Sequence, residues 1–208
     1  TWNHVAMVVR GHMTFDEETD QAPHGDDIAR HSDVKRFAKH RDRTPYHFHV
    51  EIDEGTCGTP HLLEAPGEGV HIYPNIHDRL LSSQPYEEYT TVAVRALTGV
   101  SRTSDDATRL EEWIAKIRGT EFEAEAPLHA LFTADAGDLD SMHCAEMTTA
   151  TLQHMGLLSR RLVAGTAPPC AFADAPHGSV RLKDGQLGPL EILKAAEPPL
   201  EEAIAKYA

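Results

Sequence analysis

Short apolar runs separated by polar stretches predict several β-strands along this chain. The first run, His4–Arg10 (HVAMVVR), is rich in Val and precedes Gly11, which predicts a buried strand that ends in a turn. Further strands are predicted by apolar and β-branched runs at His61–Ala65, Val70–Tyr73 and Thr90–Leu97. A hairpin is predicted for Ser179–Leu182 and Leu187–Leu193, which are joined across Lys183-Asp184-Gly185.

Two helices are predicted by apolar residues at helical spacing together with capping residues. The first has Ser104 as N-cap and Gly119 as C-cap. Its buried face is expected to consist of Leu110, Trp113, Ile114 and Ile117. The second, Asp140–Leu158, is amphipathic, with Asp140 or Ser141 as N-cap and Gly156 near its end. This irregular mixture of strands and helices favours an α+β domain with a mostly antiparallel sheet.

The chain from about residue 15 to residue 60 is polar, acidic and rich in His. We interpret it as an insertion in a single domain spanning residues 1–208. Within the insertion we expect a short helix at about Asp27–His40 and an extended piece at Tyr46–Ile52.

Charge and hydropathy exclude several classes of partner. The net charge of −14 over 208 residues argues against nucleic acid and against an anionic membrane surface. The chain has no run of about 18 apolar residues, so no transmembrane segment is predicted. The oligomeric state is not readable from the sequence.

The three Cys residues, Cys57, Cys144 and Cys170, are too few and too widely spaced for a disulfide framework or a CxxC zinc motif. They fit a reducing compartment, so we expect a cytoplasmic protein. Thr1 lies directly beside the first predicted strand, so we expect further sequence upstream of it.

Cys144 is the strongest candidate for a chemical role. It is expected in the first turn of the second helix, where the N–H groups and the helix dipole stabilise a thiolate. The alternative is a small buried residue that packs like Ala.

A thiolate nucleophile needs a base and a group that orients the base. His4 opens an apolar strand and Glu64 closes another, and polar residues at such positions often mark functional sites. His143 is expected to be a poor partner for Cys144, because neighbours on a helix point about 100° apart. The alternative for His4 and Glu64 is that each faces solvent at a strand end.

Three segments, in this order, resemble the permuted papain-like (NlpC/P60 superfamily) hydrolases of the YiiX/YaeF type. They are WNHVAMVV at Trp2–Val9, HLLEAPGEGVHIYP at His61–Pro74 and MHCAEMTTATLQHMGLL at Met142–Leu158. The stretch GTEFE at Gly119–Glu123 is similar to a short segment that precedes the Cys helix in that family. This chain departs from the family pattern at three positions, Ala145 for Ser, Met147 for Leu and Phe122 for Tyr.

The resemblance implies a circularly permuted papain-like fold, with an antiparallel sheet packed against helices that include a nucleophile helix. It implies Cys144 as nucleophile, His4 as general base and Glu64 as the residue that orients the imidazole. The implied activity is acyl transfer or hydrolysis of an amide or ester, without a cofactor or metal. The implied substrates are small molecules, peptides or lipids that carry an acyl group.

Two other functions stay open. One is a binding module that keeps the fold but has no activity. The other is a metal-binding protein, because the HFHVE run puts three possible ligands on one face of a strand and more His residues lie nearby in sequence. These residues are His47, His49 and Glu51, with His24, His31 and His40.

Overall fold

The computed structural model describes residues 4–15, 46–51, 59–67, 69–74, 76, 80, 91–121, 142–173, 178 and 180–194. In this part of the chain a curled antiparallel sheet packs against two α-helices, which confirms the predicted α+β class. The helix expected at about Asp27–His40 lies outside the described residues.

The main sheet has four antiparallel strands in the order β2-β1-β3-β4. Their bounds are Met7–Phe15 for β1, Tyr46–Val50 for β2, Thr59–Glu64 for β3 and His71–Tyr73 for β4. The first half of β1 pairs with β3 and its second half pairs with β2. The extended piece that the sequence predicts at Tyr46–Ile52 therefore forms strand β2 of this sheet.

The prediction that the first strand ends in a turn at Gly11 is wrong. Gly11 lies in the middle of β1, at the point where the pairing passes from β3 to β2. A Cβ atom at this position would overlap the carbonyl oxygen of His49 and approach the Phe48 ring within 2.8 Å. The glycine therefore permits close strand approach over a buried aromatic side chain.

Helix α1, Ser104–Ile117, has the predicted buried face, with Leu110 partly buried beside Trp113, Ile114 and Ile117. Its N-cap is Thr103 and not Ser104, because Thr103 and Asp106 form a reciprocal capping box. Its C-cap is Arg118, one residue before the predicted Gly119, which follows with a φ of 76°.

Helix α2, Cys144–His154, is buried on most of its sides, so the expectation of an amphipathic helix is wrong. One side packs on the sheet and α1 through Met147, and the other packs on the C-terminal part of the chain through Ala145 and Leu152. The hydroxyls of Thr148 and Thr151 donate to carbonyls one turn earlier, which satisfies polar groups on a buried helix.

The N-cap of α2 is His143, not Asp140 or Ser141 as predicted. The His143 backbone is extended, with φ −92° and ψ 167°, and its ring accepts a hydrogen bond from the Glu146 N–H. Gly156 lies just beyond the helix with a φ of 76°, as expected.

The predicted C-terminal hairpin is wrong, because residues 180–182 form no strand. The two strands that do form lie at the second predicted segment and pair with strands about ninety to a hundred positions earlier. The four short strands are β5 (Val92–Val94), β6 (Leu97–Thr98), β7 (Gln186–Leu187) and β8 (Glu191–Lys194). Strand β5 pairs with β8, and β6 pairs with β7. Arg95 supports this pairing, since its guanidinium donates to four carbonyls, those of Phe172, Ala173, Leu187 and Gly188.

Candidate active site

The start of α2 is fixed against the sheet by backbone hydrogen bonds. The Met142 N–H donates to the Glu121 carbonyl at 2.8 Å, and the Val70 N–H donates to the Thr120 carbonyl at 2.9 Å. Gly69, with φ 107°, lets the chain pass so close to Thr120 that a Cβ would overlap its carbonyl oxygen. These contacts connect the segment before β4, the end of α1 and the residue before the α2 cap.

The sheet register brings His4 to Glu64. Met7 opposes Leu63 across β1 and β3, so the residues just before β1 lie beside the end of β3. The His4 Nε2 atom donates to Glu64 Oε2 at 2.9 Å. The Glu64 side chain is 0% exposed and that of His4 is 20% exposed. The carboxylate is thus buried and paired, and the solvent-facing alternative for Glu64 is wrong.

The same imidazole also contacts Cys144. Its ring forms a hydrogen bond with the thiol, and because Nε2 is engaged by Glu64, Nδ1 is the nitrogen that remains for the sulfur. Burial of the ring opposes protonation, but the hydrogen bonds to Cys144 and Glu64 outweigh it. They raise the pKa of His4 from 6.5 to about 9.

Cys144 is the first residue of α2 and is 6% exposed. Burial alone raises the pKa of a thiol, but hydrogen bonds from His143 and His4 outweigh this effect. The charge of His4 and the backbone N–H of Val5, which donates to the sulfur, act in the same direction. Together these interactions lower the pKa of Cys144 from 9.0 to about 6. Between these two pKa values the pair is a thiolate and an imidazolium, which is the reactive form of a thiol nucleophile.

The prediction that His143 is a poor partner for Cys144 is wrong. His143 precedes the helix and has an extended backbone, so the angular separation of helical neighbours does not apply to it. Its ring hydrogen-bonds the thiol, and its Nε2 atom donates to the Gly165 carbonyl at 3.2 Å. His143 is the N-cap and Glu146 the third helical residue, but His is not a usual N-cap residue, so the sequence pattern did not indicate this role.

Of the other two cysteines, only Cys170 is among the residues that the structure describes. Cys170 lies in a 3₁₀ turn, Pro169–Phe172, and is partly exposed. Cys57 lies outside the described residues.

Two of the possible metal ligands, Glu51 and His49, form hydrogen bonds with side chains of β1 and not with each other. Glu51 accepts from Nδ1 of His12 at 2.9 Å, and Nε2 of His49 lies 3.0 Å from the Thr14 hydroxyl. Among the described residues no group of three or more His, Cys, Asp or Glu side chains is arranged to hold a metal ion. The other possible ligands, His24, His31 and His40, lie outside the described residues.

No protein-family model, curated protein or solved structure matches this chain. Within the described ranges, no helix has the length and apolar character needed to cross a bilayer. A functional proposal therefore depends on the geometry around Cys144.

Proposed function

We propose that this protein is a thiol hydrolase or acyltransferase that acts on an amide or ester, with Cys144 as nucleophile. The observation that carries the proposal is the position of the His4 imidazole, which bonds a fully buried Glu64 carboxylate on one side and the Cys144 thiol on the other. A nucleophile, a base and a group that orients the base are the parts that covalent acyl transfer requires.

In the first half of the reaction, the Cys144 thiolate attacks the substrate carbonyl and forms a C–S bond. The carbonyl oxygen becomes an oxyanion beside the start of α2, where N–H groups, including that of Cys144, lack acceptors within the helix. The C–N or C–O bond then breaks, and the leaving group takes the proton that His4 carried. The product of this half is a thioester on Cys144.

In the second half, neutral His4 removes a proton from water or from another acceptor. The acceptor oxygen or nitrogen attacks the thioester carbonyl, the C–S bond breaks and the Cys144 thiolate is restored beside the His4 imidazolium. Glu64 stays ionised and holds Nε2–H, so that Nδ1 faces the sulfur in both halves. Water gives hydrolysis, and a different acceptor gives transfer.

We further propose that the fold is the permuted papain-like fold. Support comes from the chain order, in which the His-bearing segment precedes the Glu-bearing strand and the Cys-bearing helix follows both. Ala145 and Met147, which depart from the family pattern, are 0% exposed, so they serve in packing. The sparse cysteines support a cytoplasmic location. Cell-wall peptides, acylated or lipidated molecules and small amides are the substrate classes to screen.

The proposal is tested with p-nitrophenyl esters and anilides on the wild-type protein, Cys144→Ala and Cys170→Ala. We expect turnover and an acyl adduct on Cys144 in the wild-type protein and in Cys170→Ala. Cys144→Ala should stay folded, form no adduct and lose turnover. Turnover by Cys144→Ala at the wild-type rate would refute the assignment, and an inert but folded wild-type protein would favour the binding module.

A further inference from the structure

The His143 ring occupies a position that the catalytic scheme above does not use. It is 9% exposed and lies against the Cys144 sulfur on α2, while His4 approaches the same sulfur from the segment before β1. Two imidazoles from different elements therefore meet one thiol.

The groups around His143 favour a ring that carries protons on both nitrogens. Its Nε2 atom donates to the Gly165 carbonyl at 3.2 Å, and the Glu146 carboxylate and the Cys144 sulfur supply negative charge nearby. Burial disfavours the charged ring. The hydrogen bonds to Cys144 and Gly165, together with these negative charges, outweigh the effect of burial and raise the pKa of His143. Among the described residues, the other titratable groups at the sulfur are His4 and, behind it, Glu64.

The cap bond to α2 competes with this arrangement. The Glu146 N–H lies 3.3 Å from Nδ1 of His143, which is longer than a typical hydrogen bond from a backbone N–H. Nδ1 can accept from this N–H only while it is unprotonated, whereas it must carry a proton in order to donate to a thiolate. With Nε2 held by Gly165, the helix cap and the sulfur compete for the one nitrogen.

We propose that His143 is a positioning residue that holds the Cys144 sulfur as a thiolate together with His4, and that it gives up its cap on α2 when it does so. This inference rests on the proposed function, because His143 can affect catalysis only if Cys144 is the nucleophile. The sulfur is anionic before it attacks the carbonyl and again when the thioester breaks, and His143 stabilises it at both points. In the second half of the reaction, this makes the sulfur a better leaving group.

The test compares His143→Ser with His143→Ala. Ser restores an N-cap acceptor and Ala does not, so His143→Ser should be the more stable of the two. Both variants lack the imidazole. In both, the pH midpoint of iodoacetamide labelling of Cys144, expected at about 6 in the wild-type protein, should therefore shift upward by the same amount. We expect a shift of about one unit, which is roughly a tenfold lower labelling rate below the midpoint.

A matched control is His154→Gln, which alters a histidine at the other end of α2 that stacks on Trp113. It should leave the labelling midpoint unchanged. In an ester assay, His143→Ser should move the acidic limb of the pH profile upward and slow the breakdown of the thioester, because the sulfur becomes a poorer leaving group; a merely structural role would produce neither effect in the folded variant.

The outcomes separate this inference from the proposed function. A low midpoint in the wild-type protein that rises in His4→Ala but stays unmoved in folded His143→Ser overturns the inference alone. An ordinary thiol midpoint in the wild-type protein overturns both. Midpoints that differ between His143→Ser and His143→Ala would show that the cap, and not the imidazole, sets the state of the thiol, and this also overturns the inference.

Discussion

The Nε2 atom of His4 lies 2.9 Å from Oε2 of Glu64, whose side chain is 0% exposed. A buried carboxylate that loses its partner is costly, so this contact fixes both the position and the orientation of the imidazole. The ring is held with its other nitrogen toward Cys144. The contact therefore couples the end of β3 to the chemistry that we propose at the start of α2.

Replacing Glu64 by Gln keeps the shape of the side chain and removes its charge. We expect the pKa of His4 to fall, since the Glu64 hydrogen bond and charge help to raise it, and acyl transfer to slow by roughly a hundredfold or more. Glu51→Gln is the matched control, because Glu51 also accepts from a histidine, His12, at 2.9 Å but lies at the outer part of the sheet. Steady-state rates of the two purified variants check this prediction, and equal losses would contradict it.

Activity should follow a bell-shaped dependence on pH. The thiol must lose its proton, so the rate rises as pH increases through about 6, the pKa of Cys144. The His4 ring must keep its proton for the leaving group, so the rate falls as pH increases through about 9, the pKa of His4. Measurement of kcat/KM across this range checks both limbs, and a rate that still rises at pH 9 would be inconsistent with the ion pair.

Two of the site residues were predictable because each interrupts an apolar pattern. Glu64 ends the run HLLE and His4 begins the run HVAMVV, and burial of such groups requires a partner. Their pairing depends on the register between β1 and β3, which sequence patterns do not specify. His143 was misjudged because its role depends on where α2 begins, and helix boundaries are the least certain part of a sequence-based prediction.

The fold was predictable where the signals were local. Helix α1 follows from its caps and its apolar spacing, and β3 from a short apolar run. The pairing of β7 and β8 with β6 and β5 was not predictable, because it joins segments far apart in sequence. The burial of α2 was missed because Thr148 and Thr151, which read as polar in a pattern, satisfy their hydroxyls by bonding back along the helix.

Gly11→Ala should destabilise the protein by about 1–3 kcal/mol, because the added methyl group overlaps the His49 carbonyl oxygen and presses on Phe48 between β1 and β2. Gly67→Ala is the control, since a Cβ there meets nothing within 4 Å. Chemical denaturation of both variants checks the difference. Equal stability of the two would show that the close approach of β1 and β2 is not required.

Thr103→Ala should lower the free energy of unfolding by about 1 kcal/mol, because it removes the side chain that caps α1. Thr103→Ser keeps the hydroxyl and should have a smaller effect. Neither variant should change the activity per folded molecule, since the capping box lies at the opposite end of α1 from the contacts that fix the start of α2. A loss of activity in the folded Ala variant would contradict this separation.

Activation of Cys144 by His4 can be measured through the pH dependence of iodoacetamide labelling at each cysteine, read by peptide mass spectrometry. In the wild-type protein, labelling of Cys144 should reach half its plateau rate near pH 6, and in His4→Ala this midpoint should move upward. Cys170, in the turn Pro169–Phe172, is the internal reference and should label identically in both proteins. Slow labelling of Cys144 in both folded proteins, with no dependence on His4, would contradict this activation and leave Cys144 as a packing residue.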